Sequence, residues 1–100
     1  MTALRWSRRA VRDLVAIGDF IAADKPDAAR GWLERLRARA VLAAATPLAG
    51  RVVPELDRDD VREVFVKRYR IVYQVLPKSI VVLTIFEGHR RLPLQKPKKP

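Results

Sequence analysis

A proline at position 26 splits one long run of helical periodicity in two, and this break constrains the fold more than any other feature of the chain. Before it, Ala10, Leu14, Ile17 and Ile21 recur at the spacing that stacks side chains on one helical face, and Val11 and Phe20 widen the stripe. Arg8, Arg9, Arg12, Asp13 and Asp19 lie mostly off that face. Ser7 stands where a hydroxyl can accept from the free amides of a first turn, which predicts an N-cap. Pro26 pushes Lys25 out of the helical region, so the first helix should stop near Ala23. The same proline suits the first turn of a second helix, where its missing amide costs nothing. There Ala29, Leu33, Leu36, Ala40 and Ala43, with Trp32 beside them, give the apolar face, and Thr46-Pro47 ends the helix near Ala45. So short a link predicts an antiparallel helical hairpin.

The hairpin needs a surface to pack on, and the rest of the chain supplies strands. Residues 3–6, ALRW, read as a short strand before Ser7. Residues 61–67, 69–76 and 80–86 are rich in β-branched and aromatic side chains and are separated by very short links, which predicts antiparallel neighbours. Residues 46–60 carry Pro47, Gly50 and Pro54 without a sustained period and read as an ordered loop. The expected fold class is therefore α+β, in the order β-α-α-β-β-β. The helical hairpin covers one face of a mainly antiparallel sheet, and the other face is left uncovered.

A chain of 100 residues with 49% hydrophobic content can build one core, so we expect one domain over 1–93. Residues 94–100, LQKPKKP, are too polar and proline-rich to pack and read as a basic, disordered tail. No run approaches the ~18 apolar residues of a membrane span, and the N-terminus lacks the apolar stretch of a secretory signal. With no cysteine there is neither a disulfide framework nor a thiolate metal site, which fits a reducing cytoplasm. One histidine and the carboxylates Asp57, Asp59 and Asp60, which lack calcium-loop spacing, give no metal site. No glycine-rich phosphate loop implies a nucleotide cofactor, so no cofactor is expected.

Charge narrows the partners. The net charge of +10 draws the chain towards polyanions: nucleic acid, the ribosome, or an acidic protein. The field is denser in the second half, and from Gly88 onward there are five basic residues and no acid.

The order of motifs is more specific than the charge. The string WSRRAVRDLVAIGDFIAADKPDAARGW is followed by Gly50-Arg51, Pro54-Glu55, Val61-Arg62-Glu63, Tyr69-Arg70-Ile71-Val72-Tyr73 and Gly88-His89-Arg90-Arg91. From about Leu4 to Pro93 this resembles the RelE/ParE family of toxins. The resemblance implies a type II toxin–antitoxin system in which a cognate antitoxin, acidic in its binding segment, holds the toxin inactive. It implies one of two targets. ParE-like members poison DNA gyrase and are not known as nucleases, whereas RelE-like members cut mRNA on the ribosome. The ending Gly88-His89-Arg90-Arg91 favours the ParE-like branch, as does the lack of a tyrosine after Tyr73 and of a lysine cluster in the loop. A small basic RNA- or ribosome-binding module outside the family is the remaining reading.

Under the nuclease alternative the catalytic candidates are Arg70, Glu55, His89 and Arg51. Such cleavage needs a base for the 2′-hydroxyl, cations for the developing charge and a proton for the leaving oxygen. Strand alternation puts Arg70 on one face with Glu63, where it can either meet a phosphate or pair with Glu63. In the resemblance, the matching arginine contacts the scissile phosphate, Glu55 matches a general base, and His89 lies near an acid–base position. Arg51 can clamp phosphate or tie down the loop, and Arg62 can face either side of its strand. For binding a target the candidates are Arg62, Arg70, Arg90 and Arg91, while nothing marks the antitoxin-binding residues. Trp6, Trp32 and Tyr73 fit an apolar face better than a base-stacking one.

Overall fold

A computed structural model describes residues 2–94, so the tail expected over 94–100 lies, from position 95 on, outside the described residues. Strand β1 (Ala3–Trp6) leads into helices α1 (Arg8–Asp24) and α2 (Pro26–Ala45). After a 3-10 turn at Pro47–Ala49 come strands β2 (Arg51–Val52), β3 (Val61–Val66), β4 (Tyr69–Val75) and β5 (Ser79–Glu87). Ser7 caps α1 as expected: its Oγ accepts from the Ala10 amide at 3.0 Å, while the hydroxyl donates to the Leu83 carbonyl at 3.0 Å. The cap therefore also ties the helix to the sheet. Lys25 closes α1 through its amide to the Ile21 carbonyl, and Pro26 opens α2 directly after it.

The sheet order is β1-β5-β4-β3-β2, with β1 parallel to β5 and every other pair antiparallel. The α+β class and the expected element order hold. The two-residue strand β2 is an addition inside the segment read as loop, where Arg51 lies opposite Glu63. Near the middle of the β4–β5 ladder the register slips: Val72 pairs with Thr84 but Tyr73 pairs with Val82, which leaves Leu83 extra.

The main core lies between the hairpin and the sheet. Leu14, Ile17, Leu36 and Ala40 meet Ile71, Tyr73, Ile80, Val82 and Ile85. Tyr73 is fully buried, and its phenol donates to the Pro47 carbonyl at 2.6 Å, which pins the start of the connecting segment. Gly50 has to be a glycine here, because a Cβ would lie 2.2 Å from the Tyr73 hydroxyl.

Two expectations need correcting. Val11 and Phe20 are 48% and 65% exposed, not buried. At 3.6 residues per turn Phe20 points roughly 120° away from Leu14, beyond what the sheet can reach. The second face of the sheet is not left uncovered either. Val53 and Leu56 from the connecting segment, and Leu92 and Leu94 after β5, fold over Val61, Val72 and Phe86 to form a second, smaller apolar cluster.

Candidate functional site

The second face holds the chain's buried charges. β3 and β4 join through the two-residue turn Lys67–Arg68, so Phe65 pairs with Arg70 and Glu63 with Val72. Alternation then sets Glu63 and Arg70 on the face away from the helices, as expected, but neither is open to solvent: they are 1% and 6% exposed. Arg70 donates from Nε to Glu63 Oε1 at 2.7 Å. Its outer edge is bidentate to Glu55, Nη1 to Oε2 at 2.8 Å and Nη2 to Oε1 at 2.9 Å. Arg51, on β2, donates to the second oxygen of Glu63. The Phe86 ring lies 5.0 Å from the Arg70 guanidinium, and Phe65 lies 5.3 Å from that of Arg51.

These four residues form a neutral, closed set of two guanidiniums and two carboxylates. A charge this deep is tolerated only when paired and hydrogen-bonded, and no buried polar side-chain atom among the described residues lacks a partner. The Arg70 hydrogen bonds hold the Glu55 carboxyl below its usual range against the opposing effect of burial. Hydrogen bonding to Glu55 raises Arg70 in turn. Nearby, hydrogen bonds from Gln74 and then Arg58 lower Asp60.

The other sequence candidates go elsewhere. Arg62 binds backbone carbonyls of the connecting segment, Nε to Asp59 at 2.8 Å and Nη1 to Leu48 and Gly50 at 3.2 and 3.1 Å. It staples that segment to β3. His89 is outside the arginine network, largely exposed, with Nδ1 3.5 Å from Glu87. Thus Arg51, Glu55 and Arg70 are brought together while His89, Arg62, Arg90 and Arg91 are not. Glu63 is the hub that the candidate set omitted. Its alternation with Arg70 was the signal that could have found it.

Arg90 and Arg91 are exposed and line a second feature, a concavity of about 470 Å³ between α1 and the end of β5. Arg9 and Phe20 from the helix and Tyr69 and Phe86 from the sheet complete its wall. The exposed Phe20 thus gains a setting that its helical spacing alone did not suggest. Among the described residues no helix is long and apolar enough to cross a membrane.

Two helices on one face of a five-stranded mixed sheet, in this element order, make the chain an α+β protein. The chain belongs to the ParE toxin family. The family described as "ParE toxin of type II toxin-antitoxin system, parDE" matches residues 4–92. Its fold is similar to that of a solved structure titled "Chromosomal ParDE TA system from P. aeruginosa", at a TM-score of 0.74 and 23% identity. The match covers 87% of this chain and 96% of that one. No curated protein sequence matches.

Proposed function

We propose that this ParE-family toxin acts in the cytoplasm by binding and poisoning DNA gyrase, and that a cognate antitoxin with an acidic binding segment neutralises it. The observation that carries this over the nuclease alternative is the state of Arg70. A ribonuclease needs that guanidinium free for a phosphate and needs a base beside it. Here both of its edges are bonded to carboxylates, and Glu55, the base candidate, has both oxygens engaged by the same arginine, which lowers its basicity. His89 stands apart as well. An arrangement of this kind supports action by contact more than by proton transfer. Arg90 and Arg91, exposed on the rim of the concavity, are then the target contacts of choice. Arg62 and Arg70, also target-binding candidates, serve by holding the surface in shape. The net charge of +10 supports an acidic partner.

The test is to express the chain alone in bacteria, following translation and DNA state together, and to assay the purified chain on gyrase. The reading expects filamentation and DNA damage while translation continues, inhibition of supercoiling in vitro, and weaker inhibition by Arg90→Ala/Arg91→Ala. Rapid mRNA cleavage abolished by Arg70→Ala, with gyrase untouched, would overturn it in favour of the ribosome-dependent nuclease.

A further inference from the structure

Helix α1 has three faces. Ala10, Leu14 and Ile17 are buried in the main core, while Arg9, Asp13 and Phe20 turn towards the concavity. The third face lies roughly opposite the buried one and about 110° round the helix from the concavity side. It carries Arg8, Arg12, Val15 and Asp19, all exposed, and the aliphatic Val15 is 57% exposed. Beside Val15 a groove of about 550 Å³ runs between α1 and α2 past Gly18, Ala22 and Leu33. Gly18 lets the helices close to this distance, since a Cβ there would stand 3.0 Å from Leu33 Cδ1. Neighbouring charges are paired along their own helices, Arg9 with Asp13 and Arg30 with Glu34. Arg12 and Asp19 make no ion pair among the described residues.

We propose that this stripe is a two-fold interface on which a second copy of the chain docks, α1 antiparallel to α1. Arg12 and Asp19 stand two turns apart, roughly 10.5 Å, with Val15 near the midpoint. A dyad at Val15 therefore sets Arg12 of each copy against Asp19 of the other and brings the two valines together. One surface is then its own complement, as a two-fold contact requires. The charge distribution favours this face. Two bodies of net charge +10 repel, but here acids stand among the arginines, Asp19 on α1 and Glu34 across the groove. The contact is small. One helix face and its groove bury less than the ~1,200 Å² at which stable complexes begin, so the dissociation constant should be on the order of 100 μM. Because the concavity lies on another face of α1, both copies keep theirs open. The dimer rests on α1 and not on the cellular target, so it stands or falls apart from the gyrase assay.

The test is sedimentation equilibrium on the full chain, from about 10 μM to about 1 mM, at physiological salt. The native chain should pass from monomer to dimer and no further. Arg12→Asp should weaken the dimer about tenfold, even though it lowers the net charge and with it the general repulsion. Arg12→Asp combined with Asp19→Arg leaves the net charge unchanged and reverses both pairs, and should restore the native affinity. Val15→Asp places like charges on the dyad and should leave only monomer. A native chain monomeric throughout would overturn the proposal, as would a dimer indifferent to Val15→Asp. Failure of the reversed pair to recover would overturn the antiparallel register. Should a variant not fold, NMR of the native chain on dilution decides. The amides of Arg12, Val15 and Asp19 should shift while those of Arg90 and Arg91 stay, and the opposite pattern would refute the interface.

Discussion

On its helix-bearing face the sheet buries Leu36, Ile71, Ile80 and Val82 against other hydrocarbon, whereas on its opposite face Glu63 and Arg70 are equally inaccessible but are charged. Both faces exclude water, yet they do so with different forces. The first is held by volume and contact, so its stability should follow packing and ignore salt and pH. The second is held by a closed ionic set under a thin apolar cover of Val53, Leu56, Leu92 and Leu94, so its stability should follow charge. The difference teaches what each face depends on. A hydrocarbon core has no charge to satisfy, whereas the ionic set holds only while each member keeps its partner.

The largest effect should come from breaking the first face. Leu36 is fully buried at the centre of the main core. Leu36→Ala should cost about 3 kcal/mol and lower the melting temperature by roughly 12–24 °C. The loss should be the same at low and high salt. A strongly salt-dependent loss would mean that the two faces are not mechanically distinct.

Glu63→Ala tests the second face and should cost about 2 kcal/mol, because Arg51 loses its carboxylate and Arg70 keeps only Glu55. Arg51 is well exposed and can turn to solvent, which keeps the effect below that of Leu36→Ala. Combined with Arg70→Ala, the two losses should fall short of their sum by ~1 kcal/mol or more in denaturant melts. Simple additivity would show that the ion pair contributes little beyond filling space.

The two faces were unequally legible in the sequence, and for a physical reason. Local rules placed the helix-bearing face: Ser7 as a cap, Pro26 as a break, and the apolar period through Leu14, Ile17, Leu36 and Ala40 all act within a few residues. Alternation likewise put Glu63 and Arg70 on one side of the sheet. What alternation cannot report is what lies on top. Val53 and Leu56 carry no period, β2 has two residues, and the parallel pairing of β1 with β5 joins residues more than seventy positions apart. Hence Arg70 read as a cation on an open surface, when the connecting segment had already closed over it with Glu55. Phe20 departs in the opposite direction: it is hydrophobic and sits beside the apolar stripe of α1, yet it is exposed.

A smaller effect separates the members of the ionic set by pH. The Glu55 carboxyl, lowered by Arg70 from its ordinary value of 4.5, binds fewer protons in the folded chain than in the unfolded one. Its contribution is therefore full above about pH 4.5 and fades as pH falls through the lowered folded value. Glu55→Gln should flatten the acid limb of the stability curve while leaving neutral-pH stability within about 1 kcal/mol, since the side chain is partly solvated. Asp60, lowered by Gln74 and Arg58, titrates in the same direction, so the limb should shrink without vanishing. An unchanged acid limb would show that Glu55 is not held as the geometry implies.

The smallest effect should come from a residue that serves neither face. Lys67 begins the turn that delivers Arg70 opposite Phe65, and its φ of 52° is the left-handed conformation that a side chain disfavours. Lys67→Gly removes that penalty of roughly 1 kcal/mol, and the greater freedom of glycine in the unfolded chain takes back about half. A net gain of about 0.5 kcal/mol is expected in denaturant melts, with salt dependence and acid limb both as in the native chain. That pairing of outcomes separates the turn from the faces it joins. If Lys67→Gly instead altered the acid limb, the register between Phe65 and Arg70 would be set by the turn, and the ionic set could not be treated as a property of its own face.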